Sequence, residues 1–343
     1  MGSNQNYIDG IKKKFGLGQI ESCVDKLKSL NALIIGDTII DEYVFVNLKG
    51  RATKDPILSV GYRNHEVYAG GILAIAGHTS SYVNKIKVVT LVGNHSPKMN
   101  FIKKSLPDNV ELKIFTKENS PTTLKKRYID HYKNNKLFKI EFMNDSPINK
   151  DLTEEIVNYL NEEIPKYDLV VVGDFGHGFI NDAIREVLKK KSKFLSIDVQ
   201  SNSANMGYNY INHYNKVDFI KMDEPELRLP LMRRYEDIEE VIAEFNTKFG
   251  YSKFLVSLGK QGSLFFNNGH IYKSPILIDT VVDTTGAGDA VFAIATILMY
   301  IKADNELIPF IANCAGGIKT NIMGNKESVT KEKLMRFIKD LLE

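Results

Sequence analysis

The sequence predicts an α/β protein, a three-layer α/β/α sandwich around a mainly parallel central sheet. Short apolar runs rich in β-branched residues recur at 32–36 (ALIIG), 86–93 (IKVVTLVG), 168–173 (DLVVVG), 193–198 (KFLSID), 217–222 (VDFIKM) and 253–258 (KFLVSL). They are continuously hydrophobic rather than alternating, as strands covered on both faces must be. Between them lie stretches of helical character at 70–84, 151–163, 179–191, 236–250, 287–302, 305–322 and 329–342. That alternation marks a doubly wound sheet with helices on both faces.

Taken in order, residues 7–30 read as a polar helical lead-in, with Ile11, Phe15, Val24, Leu27 and Leu30 at helical spacing. Gly16 and Gly18 are expected to split it into two pieces. We assign a helical extension to 1–30 and one α/β domain to 31–343. Two stretches, 42–68 and 111–142, break the rhythm with aromatic and β-branched residues and turn signals such as Asn134-Asn135. They are expected to be antiparallel strands of a small secondary sheet, a lid or a dimer surface. A strand over 276–282 is expected to end at Asp283, and the run Ala290–Ile301, apolar all round, is predicted to be a buried helix.

Composition excludes several classes. The 343 residues are 43% hydrophobic and 25% charged, an ordinary globular balance. Lys and Arg number 45 against 42 Asp and Glu, too even for a protein that coats nucleic acid. Cys23 and Cys314 stand far apart, outside any CxxC, which fits a reducing cytoplasm. No run of about 18 apolar residues could cross a membrane, and the N-terminus lacks the order of a signal peptide. The Walker A pattern GxxxxGKS/T is missing, as are HExxH and clustered His/Cys.

The segment richest in chemistry is VDTTGAGDAVFAIATILMY, 282–300. Gly286 and Gly288 stand where a turn opens a helix, so several backbone N–H groups point at one spot and the helix dipole adds positive potential. That makes an anion hole. Asp289 falls in the first helical turn, where the dipole is expected to hold it ionised and available as a base. A base beside an anion hole suits phosphoryl transfer to an alcohol. The plainer reading of a lone GxGD is a helix start with a favourable charge. His177 in GDFGHG follows a strand end; a cleft position and an inert loop position are equally open, and Asp174 in the same loop is the better contact candidate. Lys12-Lys13-Lys14 and Lys189-Lys190-Lys191 read as solvated helix faces, and His78 and His95 as packing or surface residues.

The string DTTGAGDAVFA (283–293) resembles the second signature of the PfkB/ribokinase family of carbohydrate kinases. The likeness extends to LIIGDTIID (33–41), AGGILAIAG (69–77) and SLGKQGSLFF (257–266). Within that family the chain is most similar to the kinase domain of the heptose-7-phosphate kinases of lipopolysaccharide-precursor synthesis. GDTIIDEYVF, RATKDPILSV, PTTLKKRY, LFKIEF, VVVGDFGHG and IANCAGGIKTNIMG carry that closer likeness.

The resemblance implies a ribokinase-like fold with a small β-sheet lid, and roles for individual residues. Asp289 matches the catalytic base, and Gly286, Ala287 and Gly288 the anion hole. Gly259, Gly262, Asn313 and Gly316 match positions around the nucleotide. Asp37, Asp41, Gly70 and Gly71 match the sugar side, where Arg51, Lys125, Arg127 and Lys139 are expected as basic lid residues facing a sugar phosphate. Asp223 and Glu226 stand for a magnesium-linked Asn-x-x-Glu motif, and Asp283 lies near the family's monovalent-cation site. ATP, Mg2+ and K+ are thereby implied. A homodimer is expected on separate grounds, since the exposed hydrophobic edge of antiparallel lid strands is usually covered.

Three positions depart from the family pattern: Ala74 for an Asn, Asp223 for the motif's Asn, and Val199 for a Pro after Asp198. They bear on which sugar is preferred. The expected activity is ATP-dependent phosphorylation of a heptose-7-phosphate-like sugar. A neutral-sugar kinase and a non-catalytic sugar- or nucleotide-binding regulator are the alternatives. No HxGH-type motif of a fused nucleotidyltransferase occurs, so a kinase half is expected here.

Overall fold

The computed structural model describes residues 2–25, 29–203, 205–278 and 280–343. Leu27 of the lead-in and Asp279 of the expected 276–282 strand lie outside them. Two helices open the chain, α1 (Gly2–Lys14) and α2 (Leu17–Asp25), parted at Phe15-Gly16. Their apolar faces bury Ile8, Ile11, Phe15, Ile20 and Val24.

The first half continues with β1 (Asn31–Arg51), β2 (Leu58–Gly71), α3 (Ile72–Ser80), β3 (Lys85–His95), α4 (Met99–Lys104), β4 (Val110–Pro121), β5 (Thr123–Asp130) and β6 (Lys136–Phe142). The second half runs α5 (Lys150–Glu163), β7 (Leu169–Asp174), α6 (Asp182–Lys191), β8 (Leu195–Val199), β9 (Phe219–Asp223), α7 (Glu224–Arg228), α8 (Ile238–Phe249), β10 (Lys253–Ser257), β11 (Ser263–Asn267) and β12 (His270–Ser274). Three helices close it: α9 (Ala287–Tyr300), α10 (Leu307–Thr320) and α11 (Lys331–Leu342).

The main sheet has the order β12-β11-β10-β9-β8-β7-β1-β3-β4, with β10 to β4 all parallel and the β11–β12 edge antiparallel. Alternate residues of β1 feed two cores. Ala32 and Ile34 pack on the side of α3, α9, α10 and α11, and Leu33 and Ile35 on the side of α5, α6 and α8. This is the three-layer sandwich expected, and it explains why the strands read as unbroken apolar runs.

The chain leaves β1 toward β3 on one side and returns as β7 on the other, so a crevice opens at the carboxyl ends of β1 and β7. Gly36 and Gly173 face each other there, so close that a Cβ on Gly36 would collide with the Gly173 carbonyl. Asp37 and Asp174 follow them at the lips of the crevice.

The lid differs from expectation in two ways. Residues 111–121 belong to the main sheet as its parallel edge strand β4, Val88 facing Leu112. An edge strand is covered on one side only, so its alternating pattern mimics a hairpin strand. The lid itself is mixed: β2 and β6 run antiparallel to β1 and β5, but β5 runs parallel to β1 from Ile39↔Thr123 to Val46↔Asp130. Only Thr122 separates β4 from β5, and no turn reverses the chain. β1 is the shared spine, its first part in the main sheet and its second in the lid.

The strand expected over 276–282 does not form in the described residues. β12 ends at Ser274 on the sheet edge, and Pro275 follows. The N–H groups of Val282 and Asp283 instead bond the Thr320 carbonyl at the end of α10 (2.8 and 3.0 Å). Those bonds hold the turn into α9 against the end of a neighbouring helix.

Candidate active site

The mouth of α9 is built as the sequence suggests. Gly286 caps the helix with φ 79°, and a side chain there would collide with Asn325 Oδ1. Ala287 N–H turns back to the Thr284 carbonyl at 3.2 Å, which leaves the anion-facing role to its glycine neighbours. Asp289 is buried in the first turn, and the residues after it are buried through Met299.

The carboxylate of Asp289 accepts a hydrogen bond from Gln200 Nε2 (3.0 Å), which also donates to Asp198 Oδ2 (3.0 Å). Burial raises the pKa of Asp289 to about 6; Lys221 and Gln200 oppose the rise, and the charge of Asp41 adds to it. Desolvation thus outweighs any lowering by the helix dipole, yet the carboxyl stays mostly ionised at neutral pH, as expected of a base. With that pKa, Asp289 is roughly nine-tenths ionised at pH 7 and can both take and give up a proton.

Lys221 comes from β9 and is wholly buried. Its ammonium bonds Asp223 Oδ1 (2.9 Å), lies 3.8 Å from Asp198 Oδ1, and would sit 2.9 Å from a Cβ built on Gly288. Burial pulls its pKa down, but Asp198, Asp223 and Glu226 outweigh that and hold it charged. Asp198 and Glu226 are both raised, by burial first. Glu226 accepts the N–H groups of Ser201 (2.8 Å) and Asp223 (2.7 Å). Asp198 Oδ1 is buried with no hydrogen-bond partner. Among the described residues no three His, Cys, Asp or Glu side chains converge on one point. The unpartnered Asp198 Oδ1, with the carboxylates of Asp223 and Glu226, is a hard-oxygen set of the kind that suits a Mg2+ keeping much of its water.

Of the residues expected on the sugar side, Asp37 is buried and accepts the N–H groups of Phe175 (3.3 Å) and His177 (3.5 Å). Burial, then the nearby Asp174, raises its pKa to about 7. Gly70 and Gly71 make room at the turn into α3. A Cβ on Gly70 would collide with Asp41 Oδ2, and Gly71 takes φ 56° against the Asp37 carbonyl.

Asp41 is ion-paired with Arg127. Strand register brings the basic residues together: Asp41 faces Lys125 across β1–β5, and Lys125 faces Glu141 and Arg127 faces Lys139 across β5–β6. None of the three bases is unpaired, since Lys139 and Lys125 reach Glu141 at 2.9 and 3.8 Å. Arg51 does not join them. It lies ten residues beyond Asp41 on the same strand, roughly 30 Å away along β1, exposed opposite Leu58 near the lid's outer end.

Asp174 spends its carboxylate locally, on Tyr214 OH (2.7 Å), Gly176 N–H (3.1 Å) and Asn209 Nδ2 (3.2 Å). His177 is buried with neither ring nitrogen bonded, and its pKa is lowered to about 3, by burial first, so it is neutral. It lines a polar cavity with Asp37, Lys117, Thr122, Thr123 and Asn144.

Of the residues expected around the nucleotide, Gly259 has φ 56° and open space around its Cα. Gly262 (φ 90°) is packed on the Ser274 carbonyl, and Gly316 gives room to Val291 where α10 crosses α9. Asn313 donates its amide to the carbonyls of Ser274 and Pro275 (3.0 and 3.1 Å). Asp283 accepts four hydrogen bonds, from Lys136 (2.6 Å), Tyr43 OH (2.6 Å), Gly324 N–H (2.8 Å) and Thr285 N–H (3.0 Å). Burial alone would raise its pKa, yet these donors lower it to about 2.

Sequence reasoning missed Gln200, Lys221, Lys319, Lys136, Tyr43 and Lys117. For Lys221 and Lys319 a signal exists: each is a lone charge inside an otherwise apolar element, FIKM and GGIKT.

A model of the pfkB family carbohydrate kinases matches residues 35–297. The bifunctional protein HldE of Helicobacter pylori (strain J99) is 24% identical over 302 residues, 85% of this chain and 63% of that protein. HldE of Helicobacter hepaticus is 24% identical over 319 residues, 91% of this chain and 64% of that protein. The chain thus spans somewhat under two thirds of the length of these relatives. Among solved structures, the ribokinase of Arabidopsis thaliana complexed with ribose and ATP superposes with a TM-score of 0.67 at 20% identity, over 91% of this chain and 99% of that one. Phosphofructokinase-2 of Escherichia coli in complex with potassium does so at 0.71 and 15%, over 92% and 100%. These superpositions establish a ribokinase-like fold.

Proposed function

This chain belongs to the pfkB family of carbohydrate kinases, and we propose that it transfers the γ-phosphoryl group of ATP to a hydroxyl of a sugar that already carries phosphate. Heptose 7-phosphate, attacking through its anomeric hydroxyl, is the substrate that fits best. The observation that carries the reading is Asp289, a buried carboxylate with pKa raised to about 6, at the glycine-lined mouth of α9. Asp289 takes the hydroxyl proton as the sugar oxygen bonds to the γ-phosphorus. The bond from that phosphorus to the β–γ bridging oxygen breaks, and ADP leaves. Gly286, Gly288 and the Lys221 ammonium meet the negative charge on the γ-oxygens. Mg2+, when bound with the nucleotide, neutralises phosphate charge, and Asp198, Asp223 and Glu226 would hold its water shell.

The phosphate-bearing substrate is supported by Lys125, Arg127 and Lys139 above the sugar side and by the HldE relatives. A neutral sugar is the second reading, and one observation favours it: Asp41 and Glu141 already pair all three bases. The deciding experiment is ADP release with Mg-ATP against heptose 7-phosphate, other phosphorylated sugars, free ribose and free fructose. The heptose phosphate is expected to exceed free sugars by about 10²-fold or more in kcat/KM. Free sugars turning over as fast would replace this substrate with a neutral one. ATP binding without transfer to any sugar would leave a regulator.

The lid's exposed apolar residues Leu48, Tyr62, Val67, Phe138, Ile140 and Phe142 also support a homodimer through that sheet, which sedimentation equilibrium would test.

A further inference from the structure

Between the turn into α9 and the loop after α10 lies a pocket of oxygens of the kind that binds a monovalent cation: the Asp283 carboxylate and the carbonyls of Thr285 and Gly324. Cations of this chain's own occupy it. Lys319 reaches down from the last turn of α10, fully buried, and its ammonium donates to the Thr285 carbonyl (2.7 Å) and the Gly324 carbonyl (2.6 Å). Lys136, from the lid, bonds Asp283 Oδ1 and Thr285 Oγ1, both at 2.6 Å. With Tyr43 and the two backbone N–H groups, Asp283 has four donors, which fills a carboxylate's acceptor capacity. Of the side-chain oxygens facing this turn, Asn325 Oδ1, beside Gly286, lacks a donor. One free oxygen is too few to replace the water shell of an alkali cation. The residues present therefore do not fit potassium, contrary to what the family resemblance implies.

We propose that Lys319 is a built-in cation, a positioning residue that fixes the anion-hole turn, and that phosphoryl transfer by this chain is independent of monovalent cations. Thr285 is the residue before Gly286, so holding its carbonyl orients the peptide plane that carries the Gly286 N–H. The Cε of Lys319 lies 3.2 Å from where a Cβ on Gly286 would stand, so the ammonium is directly behind the turn. Burial lowers the pKa of Lys319, and Asp283, Asp289 and Asp41 oppose that fall, so its charge and these carboxylates support one another. The inference rests on the kinase reading for its kinetic consequence, but not for its binding consequence.

The test compares wild type and Lys319→Ala in about 100 mM KCl, ammonium chloride or N-methylglucamine chloride, at equal ionic strength. Wild-type phosphoryl transfer is expected to agree across the three within about twofold, and the thallium-205 resonance should show no saturable binding. Lys319→Ala leaves both carbonyls without a donor and a hole of cation size. It is expected to lose about 10²-fold in kcat and to recover at least tenfold of that in potassium or ammonium but not in N-methylglucamine. Potassium activation of wild type by more than about fivefold, or saturable thallium binding displaced by potassium, overturns the proposal. So does a folded Lys319→Ala that keeps wild-type kcat or that neither cation restores. Should Lys319→Ala not fold, Lys319→Gln gives the kcat loss, and the wild-type measurements decide alone. Thallium binding needs no sugar, so a wrong substrate assignment would silence the kinetics and leave this result standing.

Discussion

The two walls of the cleft hold charge by different means. At the mouth of α9, much of the charge is fixed on backbone: Lys319 on two carbonyls, Asp283 by two main-chain amides, and Gly286 at a positive φ, while Lys136 and Lys221 there pair with side chains. Under the lid, Arg127, Lys125 and Lys139 are held by the side chains of Asp41 and Glu141. Backbone-anchored charge is set by the fold and needs no reorganisation when the substrate arrives. Side-chain pairs can be exchanged for a ligand's own charges. The first arrangement suits the chemistry common to every phosphoryl acceptor, the second the choice of acceptor.

The sharpest way to break this division is at Asp289. Asp289→Asn is expected to lower kcat about 10²–10⁴-fold while nucleotide binding persists. The same change is expected to stabilise the fold. A carboxyl whose folded pKa of about 6 lies above its unfolded value favours folding most at low pH, and that advantage disappears as pH rises through 6. At pH 7 the neutral amide should therefore raise stability by about 1–3 kcal/mol in urea unfolding. A variant that is both inactive and destabilised would mark Asp289 as structural.

On the lid wall, Arg127→Ala is expected to raise KM for a sugar phosphate about 10–100-fold, as for the loss of a charge-assisted bond, and for a neutral sugar far less. Equal effects on both substrates would move the phosphate away from Arg127.

The smallest effect concerns pH. The kcat of the wild type should fall about tenfold per pH unit below 6 as Asp289 is protonated. Gln200→Leu removes a hydrogen bond that lowers that pKa, so its profile should break at a higher pH. An unshifted profile would assign the titration to another group.

The two walls also differ in how much of each is legible in the amino-acid sequence. GAGD followed by an apolar run predicts a glycine-capped buried helix with an acid in its first turn, and α9 has that form. The Gly70-Gly71 pair is local only in part: the positive φ of Gly71 arises at one turn, but the space both glycines leave is set by Asp41 and Asp37 on β1. Arg51 shows the limit. It shares a basic character with Arg127, but its distance from the site follows from β1 running on unbroken for 21 residues. Strand 111–121 shows another, because alternation alone cannot tell the edge of a large sheet from an arm of a hairpin.

By itself, the sequence determined the layered α/β architecture, the alternation of strands and helices, and the glycine turn with its carboxylate. Each of these depends on spacing along a few consecutive residues. Only the tertiary structure decided which charges meet: Lys319 with Thr285 and Gly324, Lys136 with Asp283, Gln200 with Asp289, Arg127 with Asp41. Their partners lie 5 to 147 residues away. Whether a lysine is a solvated charge or a buried one depends on that pairing and on the dielectric around it, which come from packing rather than from neighbours in the chain.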